Sequence, residues 1–162
     1  MLSSRPVGSA AVSAEEAVAT AARFLQDAGY LDMAETYYMT QGGILTVNFA
    51  WQQDDVLCYS DLVKVSVALD TGAVCAFESR GYLTAHCVRT LPEVAVSTVD
   101  AQAAVPSALR ILAHQMALVP SDGQYETLCH EFKCANADGS HCIIYVNAVS
   151  GAQEKILLLL ED

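Results

Sequence analysis

Five residues near the end of the chain carry groups that can do chemistry: Cys129, His130, Cys134, His141 and Cys142. Thiolates and neutral imidazoles are the ordinary ligands of a structural zinc, which takes four of them in a tetrahedron. Two strands joined through Asn136-Ala137-Asp138-Gly139-Ser140 would bring Cys134 opposite Cys142 with a histidine between, so a zinc site is geometrically conceivable. The spacing is loose, however, and lacks the Cys-x-x-Cys element that marks most such modules. Alternation along the strands also places Leu128, Phe132 and Cys134 on one face, and Cys142, Ile144 and Val146 on one face, as two core-facing thiols would require. The residues favour a free buried pair first, a cross-strand disulfide second and a metal last, and no metal ligand is assigned.

The other reactive side chains suggest still less. There is no G-x-S-x-G elbow, no H-E-x-x-H and no glycine loop shaped to cradle phosphate. Trp51 and the histidines at 86, 114, 130 and 141 have no partners at informative spacing. Cys58 and Cys75 read as small apolar filler in strands. Tyr37, Tyr38 and Tyr59 could form an aromatic binding patch, although tyrosine in strands usually serves sheet packing. Asp54, Asp55 and Asp61 read as acids that keep loops solvated, and the alternating oxygen ligands of a calcium loop are absent. No catalytic residue and no cofactor-binding residue is assigned, and an enzyme is not expected.

Composition narrows the class further. The chain has 162 residues, eight Lys and Arg against nineteen Asp and Glu, and a net charge of −11. Such a charge repels phosphate backbones and anionic lipid surfaces, so nucleic acid is not an expected partner. The apolar fraction of 53% is inflated by alanine and suits a soluble globular protein. Its longest aliphatic run, Ile156 to Leu160, is far short of the ~20 residues of a spanning helix. The opening twelve residues have one basic side chain and no sustained apolar core, and read as a flexible leader. Six cysteines leave the redox state open.

These residues must be positioned by a small set of elements. Ser13 and Glu16 form a capping box, and Ala17, Val18, Ala21, Phe24, Leu25 and Ala28 recur at helical spacing until Gly29 stops the helix. Strands are expected from Met33 to Thr40 and Ile44 to Trp51, with the Gly42-Gly43 pair between and a polar break at Gln52 to Asp55 after. Val63, Val65, Val67 and Leu69 then alternate with Lys64, Ser66, Ala68 and Asp70, a strand with one face buried. Asp70-Thr71-Gly72 turns the chain into Ala73 to Ser79. Tyr82 to Cys87 suits a turn or two of helix. Later, Ser97 or Thr98 caps a short helix that Pro106 ends, and strands are expected at Leu109 to Val119, Tyr125 to Cys134, His141 to Asn147 and Gln153 to Leu160.

The order of elements repeats, and Gly72 and Gly151 fall in equivalent last hairpins. The expected fold is therefore α+β: two units, 13–90 and 91–162 after a leader at 1–12, each one helix packed on a four-stranded antiparallel sheet.

The block VNFAWQQDDVLCYSDLVKVSVALDTGAVCAFESRGYLTAH, Val47 to His86, and MALVPSDGQYETLCHEFKC, Met116 to Cys134, resemble the C-terminal part of YpeB-type spore germination proteins. These carry tandem PepSY domains, the module shared with peptidase propeptides. The resemblance runs over about residues 13 to 160, and makes the two units PepSY-like repeats. It implies a non-catalytic regulatory or binding module on the outer side of the spore inner membrane, with no cofactor. The implied partner is a spore cortex-lytic enzyme, a SleB-type lytic transglycosylase, held stable or inhibited until germination. A peptidase inhibitor resembling a propeptide is the alternative, followed by a zinc or thiol protein using the Cys129 to Cys142 cluster. The family's N-terminal membrane anchor is not within this sequence, and a homo-oligomer is left open.

Overall fold

The computed structural model describes residues 6–121 and 125–159. Three helices, α1 (Ala14–Asp27), α2 (Arg80–Ala85) and α3 (Thr98–Gln102), accompany eight strands. The strands are β1 (Met33–Gln41), β2 (Ile44–Gln53), β3 (Val56–Ala68), β4 (Ala73–Glu78), β5 (Arg110–Pro120), β6 (Glu126–Ala135), β7 (His141–Asn147) and β8 (Gln153–Leu159). This is an α+β fold, mostly antiparallel sheet with few helices. No described helix is long and apolar enough to cross a membrane.

The chain divides into two units. Unit 1 holds the residues through Gln52 and Asp61–His86; unit 2 holds Gln53–Ser60 and the chain from Cys87 on. The sequence suggested a single crossing near residue 90. The difference comes from β3, whose first residues pair with β5 inside unit 2 while the rest of the strand belongs to unit 1.

In unit 1 the strand order is β1-β2-β3-β4. Helix α1 starts where expected: the Glu16 N–H donates to Ser13 Oγ at 3.2 Å, and the Ser13 N–H donates to Glu16 Oε2 at 2.9 Å. Those two bonds satisfy groups that a helix end otherwise leaves to solvent. Ala17, Ala21 and Leu25 then meet Leu45, Val47 and Phe49 of β2 and Val63, Val65 and Val67 of β3. Each of these strand residues shares a face because side chains alternate with period two. Fully burying a valine or leucine is worth ~1.5–3 kcal/mol, so this layer dominates the stability of unit 1. Residues 6–12, read from the sequence as part of a flexible leader, are tied to the unit instead: Ala11 and Val12 both donate to Leu69 O at 2.9 Å, and the Gly8 N–H donates to Asp70 Oδ2 at 2.9 Å.

Two tight turns set the register of this sheet. Gly42 and Gly43 join β1 to β2 with φ of 57° and 76°, and Asp54 and Asp55 join β2 to β3 with φ of 49° and 62°. Both loops have two residues with positive φ, the geometry whose twist matches that of the flanking strands. The second is the polar break of the sequence, and it begins β3 seven residues earlier than the alternation from Val63 suggested.

Unit 2 also lays a helix, a shorter one, on its sheet. Ser97 accepts from the Asp100 N–H at 3.1 Å and caps α3, which sets Ala101 and, beyond its end, Val105 on Phe132, Cys134, Cys142, Ile144 and Val146. The strands β5-β6-β7-β8 form the expected antiparallel meander. A fifth strand departs from the four-stranded antiparallel expectation: Val56, Leu57 and Cys58 of β3 pair in parallel with Met116, Ala117 and Leu118 of β5. Parallel neighbours need a long connection between them, which the stretch from β4 to β5 supplies.

Candidate functional site

The five residues weighed as a conceivable zinc set, and ranked last as one, are not gathered into a single group. In the β6–β7 register Cys134 stands opposite Cys142, as the sequence indicated, and both are buried under α3. Cys129 is an odd-numbered residue of the same strand and projects from the other face, where burial pushes its thiol up to about 12. His130 is 1% exposed and already engaged: Nε2 lies 2.7 Å from Val96 O and Nδ1 lies 2.9 Å from His114 Nε2. A carbonyl only accepts, so Nε2 carries a proton, and a neutral His130 accepts at Nδ1 from His114. Burial, then the neighbouring His130 ring, lowers the pKa of His114. Among the described residues no three His, Cys, Asp or Glu side chains are placed to hold a metal ion.

Two further sequence readings need correction. The histidines do have partners, and Asp61 is not a loop acid. It lies in the middle of β3 with no solvent exposure, and His86 Nδ1 sits 2.7 Å from its Oδ2. The sequence held a signal for this: Asp61 continues the buried parity of Val63, Val65 and Val67 by one step. His86 stacks on Tyr82 with ring centroids 4.2 Å apart and an interplanar angle of 14°, and meets Trp51 edge-on at 4.5 Å. Tyr82 contacts Tyr30, Tyr30 contacts Phe77, and Phe77 contacts Phe24, all edge-to-face at 5.1 to 5.5 Å. Six rings thus run in one row along unit 1, with Phe77 40% exposed. Such edge-to-face contacts add about 0.5–1.5 kcal/mol each beyond area burial. They fix α2, which buries no residue of its own.

The tyrosines offered as a patch are separated. Tyr37 lines an open trough on unit 1, and Tyr38 is exposed. Tyr59 belongs to unit 2, where its hydroxyl donates to Glu131 Oε2 in a short contact. Glu131 is 1% exposed, and its other oxygen, Oε1, has no hydrogen-bond partner. Burial pushes the Glu131 carboxyl above its usual range, although the Tyr59 bond pulls the other way. Burial also raises the Tyr59 hydroxyl, with Glu131 adding to the effect. A buried carboxyl beside a phenol can hold a proton, and a second buried phenol, Tyr145, acts on the same pair.

What unit 1 does present is a surface. Opposite α1, its sheet forms a trough of about 880 Å³ crossing all four strands. Tyr37 and Met39 of β1, Thr46 and Asn48 of β2, Ser66 of β3 and Cys75 of β4 line it. The Thr46 and Ser66 hydroxyls are 2.8 Å apart and bond across the strands, and Lys64 supplies the cation of the lining. Thr46, Ser66, Ala68, Ala73 and Ala76 are short and leave the backbone approachable, and among the described residues β1 and β4 each have one edge without a strand partner.

Comparison with known proteins matches residues 1–92 to the family model "YpeB sporulation, PepSY1 and PepSY2 domains". The chain belongs to the YpeB sporulation protein family. The YpeB sporulation protein of Halalkalibacterium halodurans is 30% identical over 155 residues, covering 96% of this chain and 34% of that protein. That of Bacillus subtilis is 25% identical over 160 residues, again 96% of this chain and 35% of the relative. The chain therefore spans about a third of the length of the curated YpeB relatives it matches. Among solved structures, the Bacillus megaterium YpeB C-terminal domain superposes with a TM-score of 0.90 at 25% identity, over 98% of this chain and 70% of that one.

Proposed function

We propose that this chain is a non-catalytic regulatory module of spore germination that binds a SleB-type cortex-lytic enzyme and keeps it stable or inactive. The observation that carries the reading is the sheet face of unit 1 opposite α1, a trough of about 880 Å³ lined mostly by uncharged side chains with Lys64 among them and left open by the described residues, in a chain of the YpeB family. A site of that shape offers main-chain hydrogen bonds and shallow pockets to an extended segment of a partner. The module acts on the outer side of the spore inner membrane in this reading, carried there by the remainder of a longer parent protein.

The two units are in this reading two PepSY-like copies. Support comes from matched details: Ala11 and Val12 donate to Leu69 O, and Ala95 and Val96 donate to Ala148 O. In each unit a capping serine follows at once, Ser13 or Ser97, and an alanine four residues on, Ala17 or Ala101, is buried against the sheet. Gly72 and Gly151, with φ of 72° and 76°, then close the hairpins that Val12 and Val96 touch.

The test is co-purification of the chain with the cognate cortex-lytic enzyme, with muralytic activity measured in parallel. Binding at micromolar concentration with reduced activity or slower proteolysis of the enzyme is expected, and Ser66→Arg, which fills the trough and leaves the face under α1 untouched, should abolish it while lowering the melting temperature by only about 2–4 °C, the cost of the lost Thr46 bond. Absence of binding by the unaltered chain at that concentration would discard the reading. Inhibition of a peptidase in place of the lytic enzyme would transfer the same surface to a propeptide-like role.

A further inference from the structure

The β6–β7 hairpin places Cys134 directly opposite Cys142, and the surrounding backbone bonds show which kind of position they occupy. Ala148 N–H donates to Leu128 O at 2.9 Å and Asn136 N–H donates to Ser140 O at 2.8 Å. Those two pairs are hydrogen-bonded positions of the ladder; with period two and no shift of register between them, Cys134 and Cys142 occupy the same class. Cα atoms at such positions are ~5.5 Å apart, inside the ~4.4–6.8 Å that a disulfide spans. Cβ atoms at hydrogen-bonded pairs stand toward ~5.5 Å, beyond the ~3.5–4.5 Å of an unstrained disulfide, so closing the bond requires the hairpin to shift locally and twists its torsions.

The side chains are arranged for it. Both are buried on the α3 side of the hairpin, where the Cys134 thiol donates to Phe132 O at 3.6 Å, a weak bond that leaves its sulfur facing Cys142 across the ladder. Both are free thiols here. In the described pairings no other two of the six cysteines stand opposite one another: Cys58 faces Leu118, and Cys129 faces Ala117 and Asn147. From these juxtapositions we infer that Cys134 and Cys142 are a modification site, an oxidisable dithiol that closes reversibly into a cross-strand disulfide. The oxidant is a low-molecular-weight disulfide. The Cys142 thiolate attacks one of its sulfurs and expels the first small thiolate; the Cys134 thiolate then attacks the Cys142 sulfur of the mixed disulfide and expels the second. Two electrons pass to the oxidant, and the two protons lost from the cysteines are taken up by the released thiolates.

Burial makes the exchange slow, because it raises both thiols, Cys134 to about 11, and keeps thiolate scarce. Access comes through the hairpin end, where the Ala135–His141 and Asn136–Ser140 pairs separate the cysteines from the exposed residues 137–139 of the turn. Once formed, a twisted bond of this kind is more easily reduced than an ordinary structural disulfide. It sits against Ala101 and Val105, so its state is felt by α3.

The experiment incubates the full chain in mixtures of reduced and oxidised glutathione, alkylates under denaturant and reads the product by mass spectrometry. The expected product has lost two of its six thiols and carries one internal link between the peptides holding Cys134 and Cys142. The link should reverse on dilution into reduced glutathione, disappear in Cys142→Ser and persist in Cys129→Ser. Because the decisive reading is made on the unaltered chain, a poorly folded variant does not obscure it. Six alkylated thiols at the most oxidising ratio, or a link joining any other pair, would overturn the inference.

Discussion

The groups whose ionisation is most disturbed lie in unit 2 and pull its stability in opposite directions with pH. The folded pKa of Glu131 is raised by burial, so the stability of its protonated form is present below the unfolded value of about 4.3 and is lost as pH rises through the folded one. The folded pKa of His114 is lowered, so its neutral form contributes above the unfolded value of about 6.5, and that contribution is lost as pH falls through the folded one. Urea unfolding from pH 4 to pH 8 should therefore show Glu131→Gln losing the decline toward high pH, because an amide still accepts from Tyr59 without ionising. His114→Gln should lose the decline toward low pH. A Glu131→Gln profile parallel to that of the unaltered chain would show that the carboxyl does not titrate in this range. In unit 1, His86→Ala removes a charged-partner bond to Asp61 and two ring contacts; with the imidazole side chain 31% exposed, a discounted cost of about 1–2 kcal/mol is expected in thermal or urea unfolding.

At the scale of elements, the same two-residue hairpin is built twice from different residues, and the two should respond oppositely to substitution. Gly43 has φ of 76°, and a β-carbon there would come within 2.8 Å of Val7 Cγ1. Gly43→Ala is thus expected to destabilise by about 1–2 kcal/mol from the left-handed backbone alone, with displacement of Val7 in addition. Asp55 holds φ of 62° with a side chain, so Asp55→Gly should raise the melting midpoint, by up to about 1 kcal/mol in stability. Thermal melts of the two variants check both. These turns also show where the sequence could be read and where it could not. The cap of α1 was legible because Ser13 and Glu16 act within one turn, and β7 because apolar residues fill it between Gly139 and Gly151. Gly-Gly announces positive φ, but Asp-Asp reads first as a solvated break, and with that turn the true start of β3 was hidden. Losing the start of β3 meant losing Asp61 as a buried residue. The pairings of Asp61 with His86, Tyr59 with Glu131 and His114 with His130 depend on which strands become neighbours and in what register, which local spacing does not encode; Cys134 with Cys142 was legible because one short turn fixes both.

At the scale of the whole molecule, β3 decides how the chain can be cut. The family model matches residues 1–92, which suggests a convenient fragment. In the intact chain, however, Val56, Leu57 and Cys58 are buried and pair with Met116, Ala117 and Leu118, and Val56 also meets Leu118, Leu128 and Ala148 in an apolar cluster. A fragment ending at residue 92 would keep this stretch and lose β5, exposing three apolar residues along an unpaired strand edge, the arrangement that templates association between chains. Size-exclusion chromatography with light scattering should show the fragment as soluble oligomers or aggregate under conditions where the intact chain gives no such species of its own. Leu57→Lys, which places a charge on that edge, should shift the fragment toward monomer while destabilising the intact chain, where Leu57 is 4% exposed. A monomeric fragment with a cooperative melt would mean that the residues of unit 1 fold without the β3–β5 pairing, and that this pairing is an addition to a self-sufficient unit instead of a condition for it.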